Sequence, residues 1–203
     1  MKRRSFLAGS AVTTAFLGLS HHLSAAPESR LVSPYGPLRP DPEGLLDLPE
    51  GFRYRILSKT GDLMSDGLKV PGKPDGMAAF AHPDGKVVLV RNHELSLALT
   101  KQGPLKNNLR LPKDFPADRL YDAGAEDEPP HLGGTTNVVI DPETGEVTEQ
   151  FLSLFGTDRN CAGGAMPWGS WITCEEPEDL TSKRGRLHGY CFEVKAAPGT
   201  GLQ

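Results

Sequence analysis

Short apolar runs separated by tight-turn residues make up most of the chain after residue 50. The runs at 77–81 and 87–90 flank a Pro-Asp-Gly sequence, which is typical of the turn of a β-hairpin. A second hairpin is predicted around the Pro-Glu-Thr-Gly sequence at 142–145. Because the run at 87–90 is apolar without alternation, we predict that this strand is buried on both faces. The predicted strands are residues 52–57, 77–81, 87–90, 136–141, 146–154, 168–174 and 189–194.

Two stretches of the chain, beginning at residues 75 and 162, resemble each other. Each runs from a small-residue strand through a glycine-containing turn to an apolar strand, and ends in a polar cluster with a glutamate, Glu94 or Glu176. The spacing of 82 residues from Glu94 to Glu176 fits one four-stranded propeller blade enlarged by an insertion, since a blade without an insertion runs about 40–50 residues. Residues 96–132 mix prolines, asparagines and charges, and we expect them to form this insertion on the surface. The predicted fold class is all-β, with a β-propeller preferred over a β-sandwich of short strands, which would give similar patterning.

The first residues predict an export signal, not a part of the fold. Arg3 and Arg4 precede an apolar run that ends near Leu19, the pattern of a twin-arginine signal. A membrane-spanning helix would need about 20 predominantly apolar residues, and His21 closes the run early. We therefore predict a signal peptide at 1–26, recognised by the twin-arginine export machinery and leading to the periplasm or the medium with no stable membrane anchor. A Pro-rich arm at 27–50 and the main domain at 51–203 would follow.

Composition and net charge limit the fold classes and the kinds of partner that the sequence allows. The 23 glycines and 18 prolines among 203 residues favour a loop-rich β-protein over a helical bundle. The net charge of −4 argues against a nucleic-acid partner, because such proteins usually carry a basic patch. An excess of carboxylates is consistent with cation binding, although a solvated acidic surface would give the same count.

Six side chains in three polar clusters, each beside a predicted strand end, are the candidates for metal ligands. In a propeller such ends can converge on the channel, where Asn and Glu oxygens suit calcium and a thiolate suits a transition metal. Each candidate also has a plainer interpretation as a turn residue, a solvated carboxylate paired with Arg91, or a small buried thiol. His93 is interpreted as a packing residue and stays outside the set. The candidates are Asn92, Glu94, Asn160, Cys161, Glu175 and Glu176.

Three cysteines are an odd number for an exported protein. One simple allocation bridges Cys174 to Cys191 across neighbouring strands and leaves Cys161 free. The sequence alone does not determine this connectivity.

Residues 159–176 (RNCAGGAMPWGSWITCEE) resemble the signature segment of the PhoX-type alkaline phosphatases. The resemblance extends in order over nearly all of residues 37–194, and the twin-arginine start fits the same family. Its further matching segments are 64–67, 75–80, 91–94, 133–136 and 188–190.

The resemblance implies a six-bladed propeller with iron and calcium in its channel that hydrolyses small phosphate monoesters in the periplasm. It places the iron-binding cysteine at Cys161 and metal-binding carboxylates at Glu94 and Glu176, with Glu175 a less certain neighbour. Since alternate residues of a strand point to opposite faces, one of the adjacent glutamates would face the channel, and we prefer Glu176.

Members of this family are longer, so we expect the chain to correspond to the first two blades or so and to be inactive by itself. An open ring would expose apolar blade faces such as residues 87–90. The complete protein is expected to be a monomer. Two alternatives remain open: a non-catalytic calcium-binding propeller, and another propeller hydrolase such as a calcium-dependent lactonase or phytase.

Overall fold

The structure is a computed structural model that describes residues 34–105, 111, 115–116, 120–124, 129–177, 186–199 and 201. The predicted signal peptide lies outside these residues. The chain divides into two compact units, Met1–Arg55 and Ile56–Gln203. No helix in the described parts of the chain is long and apolar enough to cross a membrane.

The described part of the first unit is a small β-ribbon. Strand β1 (Leu38–Arg39) pairs with strand β2 (Leu48–Pro49) in antiparallel register. Asp41 organises the connection, since its carboxylate accepts hydrogen bonds from the Tyr54 hydroxyl (2.7 Å) and from the Leu45 backbone N–H (2.8 Å). These bonds lower the pKa of Asp41 to about 2. The described part of the Pro-rich arm, residues 34–50, therefore contains a short β-ribbon.

The strand predicted at 52–57 is wrong, because these residues form no ladder in the structure. Phe52 and Tyr54 make side-chain contacts inside the first unit instead. Phe52 meets Tyr35 edge to face with ring centroids 5.1 Å apart, and Tyr54 is held by its bond to Asp41. Apolar alternation here reflects side-chain packing without strand pairing.

The second unit contains two antiparallel sheets. The larger sheet has four strands in sequential order, and the smaller has three, so each neighbour along the chain is a neighbour in the sheet. The hairpins predicted around 82–86 and 142–145 are both confirmed by the strand registers. The larger sheet comprises β3 (Pro74–Ala81), β4 (Val87–His93), β5 (Gly133–Ile140) and β6 (Val147–Thr157). The smaller sheet comprises β7 (Asn160–Met166), β8 (Ser170–Glu175) and β9 (Cys191–Lys195).

This architecture confirms the all-β prediction. The described strands form three small antiparallel sheets, and none of these closes on itself. The four-stranded order β3-β4-β5-β6 is compatible with a propeller blade, but the blade arrangement remains a prediction.

The burial of side chains alternates along strand β4, whereas the sequence predicted burial on both faces. Val88 and Val90 are fully buried, while Val87 and Leu89 are half-buried. The buried pair packs in one cluster with Trp171 of β8 and other residues of the smaller sheet. The expectation of an exposed blade face at 87–90 is therefore wrong for Val88 and Val90, because residues of the smaller sheet cover them.

A second hydrophobic cluster involves the segment predicted to be a surface insertion. Leu105, Leu120 and Leu132 from this segment are buried together with Leu152 and Phe155 of β6. A short 3-10 helix, Leu97–Gln102, begins the same segment. The prediction of a purely surface insertion is wrong for these described residues, since their leucines bury apolar surface of the sheet.

Candidate metal centre

Two backbone hydrogen bonds join the three strand ends that carry the predicted ligands. The Arg159 N–H donates to the Leu95 carbonyl (3.1 Å), and the Glu176 N–H donates to the Arg159 carbonyl (3.1 Å). Arg159 lies between the end of β6 and the start of β7, so this connection places the residues after β4 beside those after β8. The three polar clusters, far apart in sequence, adjoin in the fold.

Arg159 occupies a tight connection in which a non-glycine residue has positive φ. Two residues, Asp158 and Arg159, link β6 to β7, and Arg159 has φ of 48°. This left-handed conformation is uncommon for a residue with a Cβ and lets the chain reverse in a short span. The Arg159 guanidinium forms an ion pair with Glu176 at 3.5 Å.

Asn92 is fully buried and uses its whole amide to join the two sheets. Its Nδ2 donates to the Ala162 carbonyl (3.0 Å), and its Oδ1 accepts from Trp171 Nε1 (2.9 Å). Strands β3 and β7 also approach each other closely, because a Cβ on Gly76 of β3 would lie 2.8 Å from the carbonyl oxygen of Cys161 in β7. Asn92 therefore has a framework role at the site, while a metal contact stays a prediction.

Asn160 has a comparable framework role inside the smaller sheet. It is fully buried, and its Nδ2 donates to Thr173 Oγ1 (3.0 Å) while its Oδ1 accepts a short hydrogen bond from the Thr157 hydroxyl. These contacts hold the start of β7 against β8. The adjacent Cys161 lies at a bulge of the same strand, where the register shifts between Asn160 and Ala162.

The adjacent glutamates point to opposite sides of β8. The Glu175 side chain is fully buried, whereas the Glu176 side chain is 55% exposed. The carboxylate of Glu175 is engaged by the protein itself, so Glu176 is the freer of the two. The partners of the Glu175 carboxylate are the backbone N–H groups of Asp158 (2.8 Å), Gly189 (2.7 Å) and Tyr190 (3.1 Å), and His188 Nδ1 (2.7 Å).

Cys161 and Glu94 are half-buried, and their side chains have no hydrogen-bond partner within the described parts of the chain. The Glu94 backbone N–H is anchored to the Lys73 carbonyl at 2.9 Å. A thiol and a carboxylate in this state are accessible for ligation. Metal binding by these two side chains remains a prediction.

The other two cysteines face each other across neighbouring strands. Cys174 of β8 is paired in register with Cys191 of β9, and their Sγ atoms are 3.2 Å apart. Burial, together with the nearby Cys191 and Cys161 thiols, raises the pKa of Cys174 to about 11. All three cysteines are free thiols in the structure.

His93 and Arg91 contribute to packing around the site. His93 is buried, with Nδ1 against the Gly72 carbonyl (2.9 Å) and Nε2 against Thr136 Oγ1 (2.9 Å). Burial and the nearby Arg91 charge lower the pKa of His93 to about 3. The Arg91 guanidinium donates to Ser58 Oγ (3.1 Å) and to the Thr136 hydroxyl (3.2 Å), so its described partners are hydroxyls and not a carboxylate.

The structure reveals a group that sequence reasoning missed. Asp122, His131 and His188 are all buried, and one ligand atom of each lies within 4.8 Å of the others. Asp122 and His131 belong to the segment that we expected on the surface, and for this reason they were overlooked. The weak signal in the sequence was His188, which begins a segment resembling the family.

Asp122 is set up to stay ionised in this group. Burial by itself would raise the pKa of Asp122, but the backbone N–H groups of Arg186 and Gly124, with His131 and His188, lower it. The two N–H contacts are 3.0 and 2.7 Å long. A buried anion therefore lies beside two imidazoles.

Comparison with known proteins gives one family match. The family model described as alkaline phosphatase PhoX matches residues 33–147 and 134–198. No curated protein and no solved structure matches the chain significantly. The matched residues include all six ligands predicted from the sequence and the Asp122, His131 and His188 group.

Proposed function

The chain belongs to the alkaline phosphatase PhoX family, as its sequence resemblance predicted, and on that premise we propose that the complete protein is a metal-dependent phosphomonoesterase. Its substrates would be small organic phosphate esters, hydrolysed in the periplasm or outside the cell after export through the twin-arginine pathway. The single observation that carries this proposal is the meeting of three strand ends at Leu95, Arg159 and Glu176, within the matched region.

The donor chemistry at these strand ends fits iron and calcium. A cysteine thiolate suits a transition metal, and carboxylate oxygens suit calcium. The side chains of Cys161 and Glu94 have no hydrogen-bond partner among the described residues, and the Glu176 side chain is 55% exposed beside Arg159. We propose that Cys161 holds iron and that Glu94 and Glu176 hold iron or calcium.

The chain's own residues would position this site. Asn92 joins the two sheets through Trp171 and Ala162, and Asn160 fixes the start of β7 through Thr173. Bound cations would neutralise charge on the phosphate oxygens and supply an activated oxygen nucleophile. Arg159 places a guanidinium at the same strand ends, suited to pair with a phosphate oxygen when Glu176 is engaged by a cation.

A β-propeller is the architecture that we propose for the complete protein. Its support is the sequential antiparallel order of both sheets and the apolar contact between them through Val88, Val90 and Trp171. Further blades would supply the remaining oxygen ligands, since calcium takes about six to eight.

The proposal is tested by assaying the purified complete protein on an aryl phosphate. We expect hydrolysis that a calcium chelator abolishes and added calcium restores. Cys161→Ser should lose activity, while Cys191→Ser, a cysteine outside the proposed ligand set, should keep it. Activity indifferent to chelation would overturn the metal mechanism.

The same assay separates the alternatives. A calcium-binding propeller without catalytic function would bind calcium and release no phosphate. A lactonase or phytase would prefer a lactone or phytate over the aryl ester and would tolerate Cys161→Ser, because a site using calcium alone has no need of a thiolate ligand.

A further inference from the structure

We propose that Asp122, His131 and His188 form a binding site for a divalent transition metal, with zinc as the best match, separate from the strand-end site. The three residues come from two segments that approach the end of β8. Tyr121 and Asp122 hydrogen-bond through their backbones to β6 at Phe155 and Gly156, and His188 precedes β9. The relative exposures of Asp122, His131 and His188 are 2%, 5% and 2%.

His131 is a buried imidazole with neither ring nitrogen satisfied. Both Nδ1 and Nε2 lack a hydrogen-bond partner among the described residues. The Asp158 Oδ2 atom is 3.6 Å from Nδ1, beyond hydrogen-bond length, and the other oxygen of Asp158 is also unpartnered. A buried polar group is ordinarily hydrogen-bonded, so these atoms call for a ligand.

The His131 ring is held in place by stacking. It lies on the His188 ring with centroids 4.1 Å apart and an interplanar angle of 28°. Two stacked imidazoles beside a carboxylate present nitrogen and oxygen donors to one small volume. This donor set of two histidines and one carboxylate is typical of zinc and of other first-row transition metals.

His188 has the hydrogen-bonding pattern of a metal-bound histidine. Its Nδ1 is 2.7 Å from Glu175 Oε1, which orients the ring and assigns the proton to Nδ1 in the neutral imidazole. The lone pair of Nε2 then faces Asp122 Oδ2 at 3.4 Å, so that two acceptors oppose each other. Two ligands of a tetrahedral zinc ion, each about 2.0–2.1 Å from the metal, are about 3.4 Å apart. The separation of His188 Nε2 and Asp122 Oδ2 therefore matches that of two zinc ligands, and the ligand atom of His131 lies within 4.8 Å of both.

Charge balance points the same way. Asp122, Asp158 and Glu175 surround two imidazoles, and no Lys or Arg side chain in the described parts of the chain forms an ion pair with them. A divalent cation would offset this negative charge. The other way to satisfy His188 is a doubly protonated imidazolium between Glu175 and Asp122, which would need no metal.

The three residues are buried, and they leave one position of a tetrahedral zinc ion to a water molecule, since closed structural sites use four protein ligands. Zinc would tie the segment around Asp122 and His131 to the segment around His188. This role is independent of phosphatase activity, so either proposal can fail without the other.

The test is metal binding by the full purified chain, stripped with EDTA and titrated with Zn²⁺ or Co²⁺. To remove the strand-end thiolate, all proteins carry Cys161→Ser. We expect one equivalent of tightly bound Zn²⁺ and a tetrahedral Co²⁺ visible spectrum without a thiolate charge-transfer band. Asp122→Asn and His131→Gln should weaken binding by more than about a hundredfold, the upper end for losing an outer-shell partner. His82→Gln is the matched control, because His82 lies in the β3–β4 turn and pairs with Asp84.

Binding that survives Asp122→Asn and His131→Gln would overturn the proposal, as would a parent protein that retains no Zn²⁺ and binds no Co²⁺. The second result would favour the imidazolium. If the ligand variants do not fold, the parent protein itself provides the test, because adding Zn²⁺ should shift the ring ¹⁵N signals of His131 and His188. Unperturbed signals would equally refute the site.

Discussion

The two faces of β8 differ sharply although they alternate residue by residue. Trp171, Thr173 and Glu175 on one face are buried, and each makes a side-chain hydrogen bond to another strand or loop. On the other face, Ile172 and Cys174 are half-buried, and Glu176 just beyond the strand is exposed.

Adjacent residues of the same type, Glu175 and Glu176, therefore have different roles. Glu175 joins the segment around His188 to the sheet, because its carboxylate accepts hydrogen bonds from His188 and from the Gly189 backbone N–H. Glu176 keeps an accessible carboxylate beside Arg159. Burial and partners separate the carboxylate that organises the fold from the one available to a ligand.

The largest expected effect is on stability when the buried glutamate is neutralised. Glu175→Gln removes the charge that accepts four hydrogen bonds and turns one acceptor oxygen into an amide donor. Each lost hydrogen bond to a charged group costs about 1.5–3 kcal/mol. Glu176→Gln, the matched exposed change, should alter the free energy of unfolding by about 1 kcal/mol or less. Urea unfolding of the full chain measures both. Equal effects would show that the two faces do not differ energetically.

The exposed face should gain stability on oxidation. With oxidised glutathione as the oxidant, Cys174 and Cys191 should form a disulfide, the two thiols losing their protons and the glutathione being reduced. Their separation of 17 residues predicts a gain of about 3 kcal/mol in the free energy of unfolding. Peptide mapping should find this cross-link, with Cys161 still open to alkylation. A cross-link between Cys161 and Cys174 would contradict the pairing.

The buried Trp171 ring and the backbone of β8 leave no room for a side chain at Gly163 of the neighbouring strand β7. A Cβ on Gly163 would overlap the Ile172 carbonyl oxygen and lie 2.8 Å from the Trp171 ring, so Gly163→Ala should cost about 1–3 kcal/mol. The neighbouring Gly164 has room, with its nearest contact 3.7 Å away at Met166. Gly164→Ala should therefore leave stability unchanged or slightly raised. Thermal unfolding compares the pair, and similar melting temperatures would refute this close packing.

The smallest effect on stability is expected at Cys161. Cys161→Ser replaces a half-buried thiol and should change the free energy of unfolding of the metal-free protein by about 0.5 kcal/mol or less. In the complete protein, however, it should remove iron and the thiolate-to-metal absorption band. Cys174→Ser and Cys191→Ser should retain both. Unchanged iron content in Cys161→Ser would leave this cysteine a packing residue only.

Local signals in the sequence determined the strands and hairpins of the second unit. The turns at 83–85 and 142–145 place proline, aspartate or glycine where the chain must reverse, and the runs beside them have strand character. The same local reasoning failed at 52–57, where aromatic side chains pack without a partner strand. The family resemblance could also be recognised from the sequence, because its main segment, residues 159–176, is continuous.

The tertiary structure alone decided which polar residues meet and which are covered. Asp122 and His131 look like surface residues in a segment rich in proline and charge, yet they lie buried against His188. Leu105 and Leu120 reach the core from the same segment. Burial of this kind depends on which distant segment covers a sheet face. The periodicity of the chain predicts which face of a strand a residue occupies, but it does not predict what covers that face.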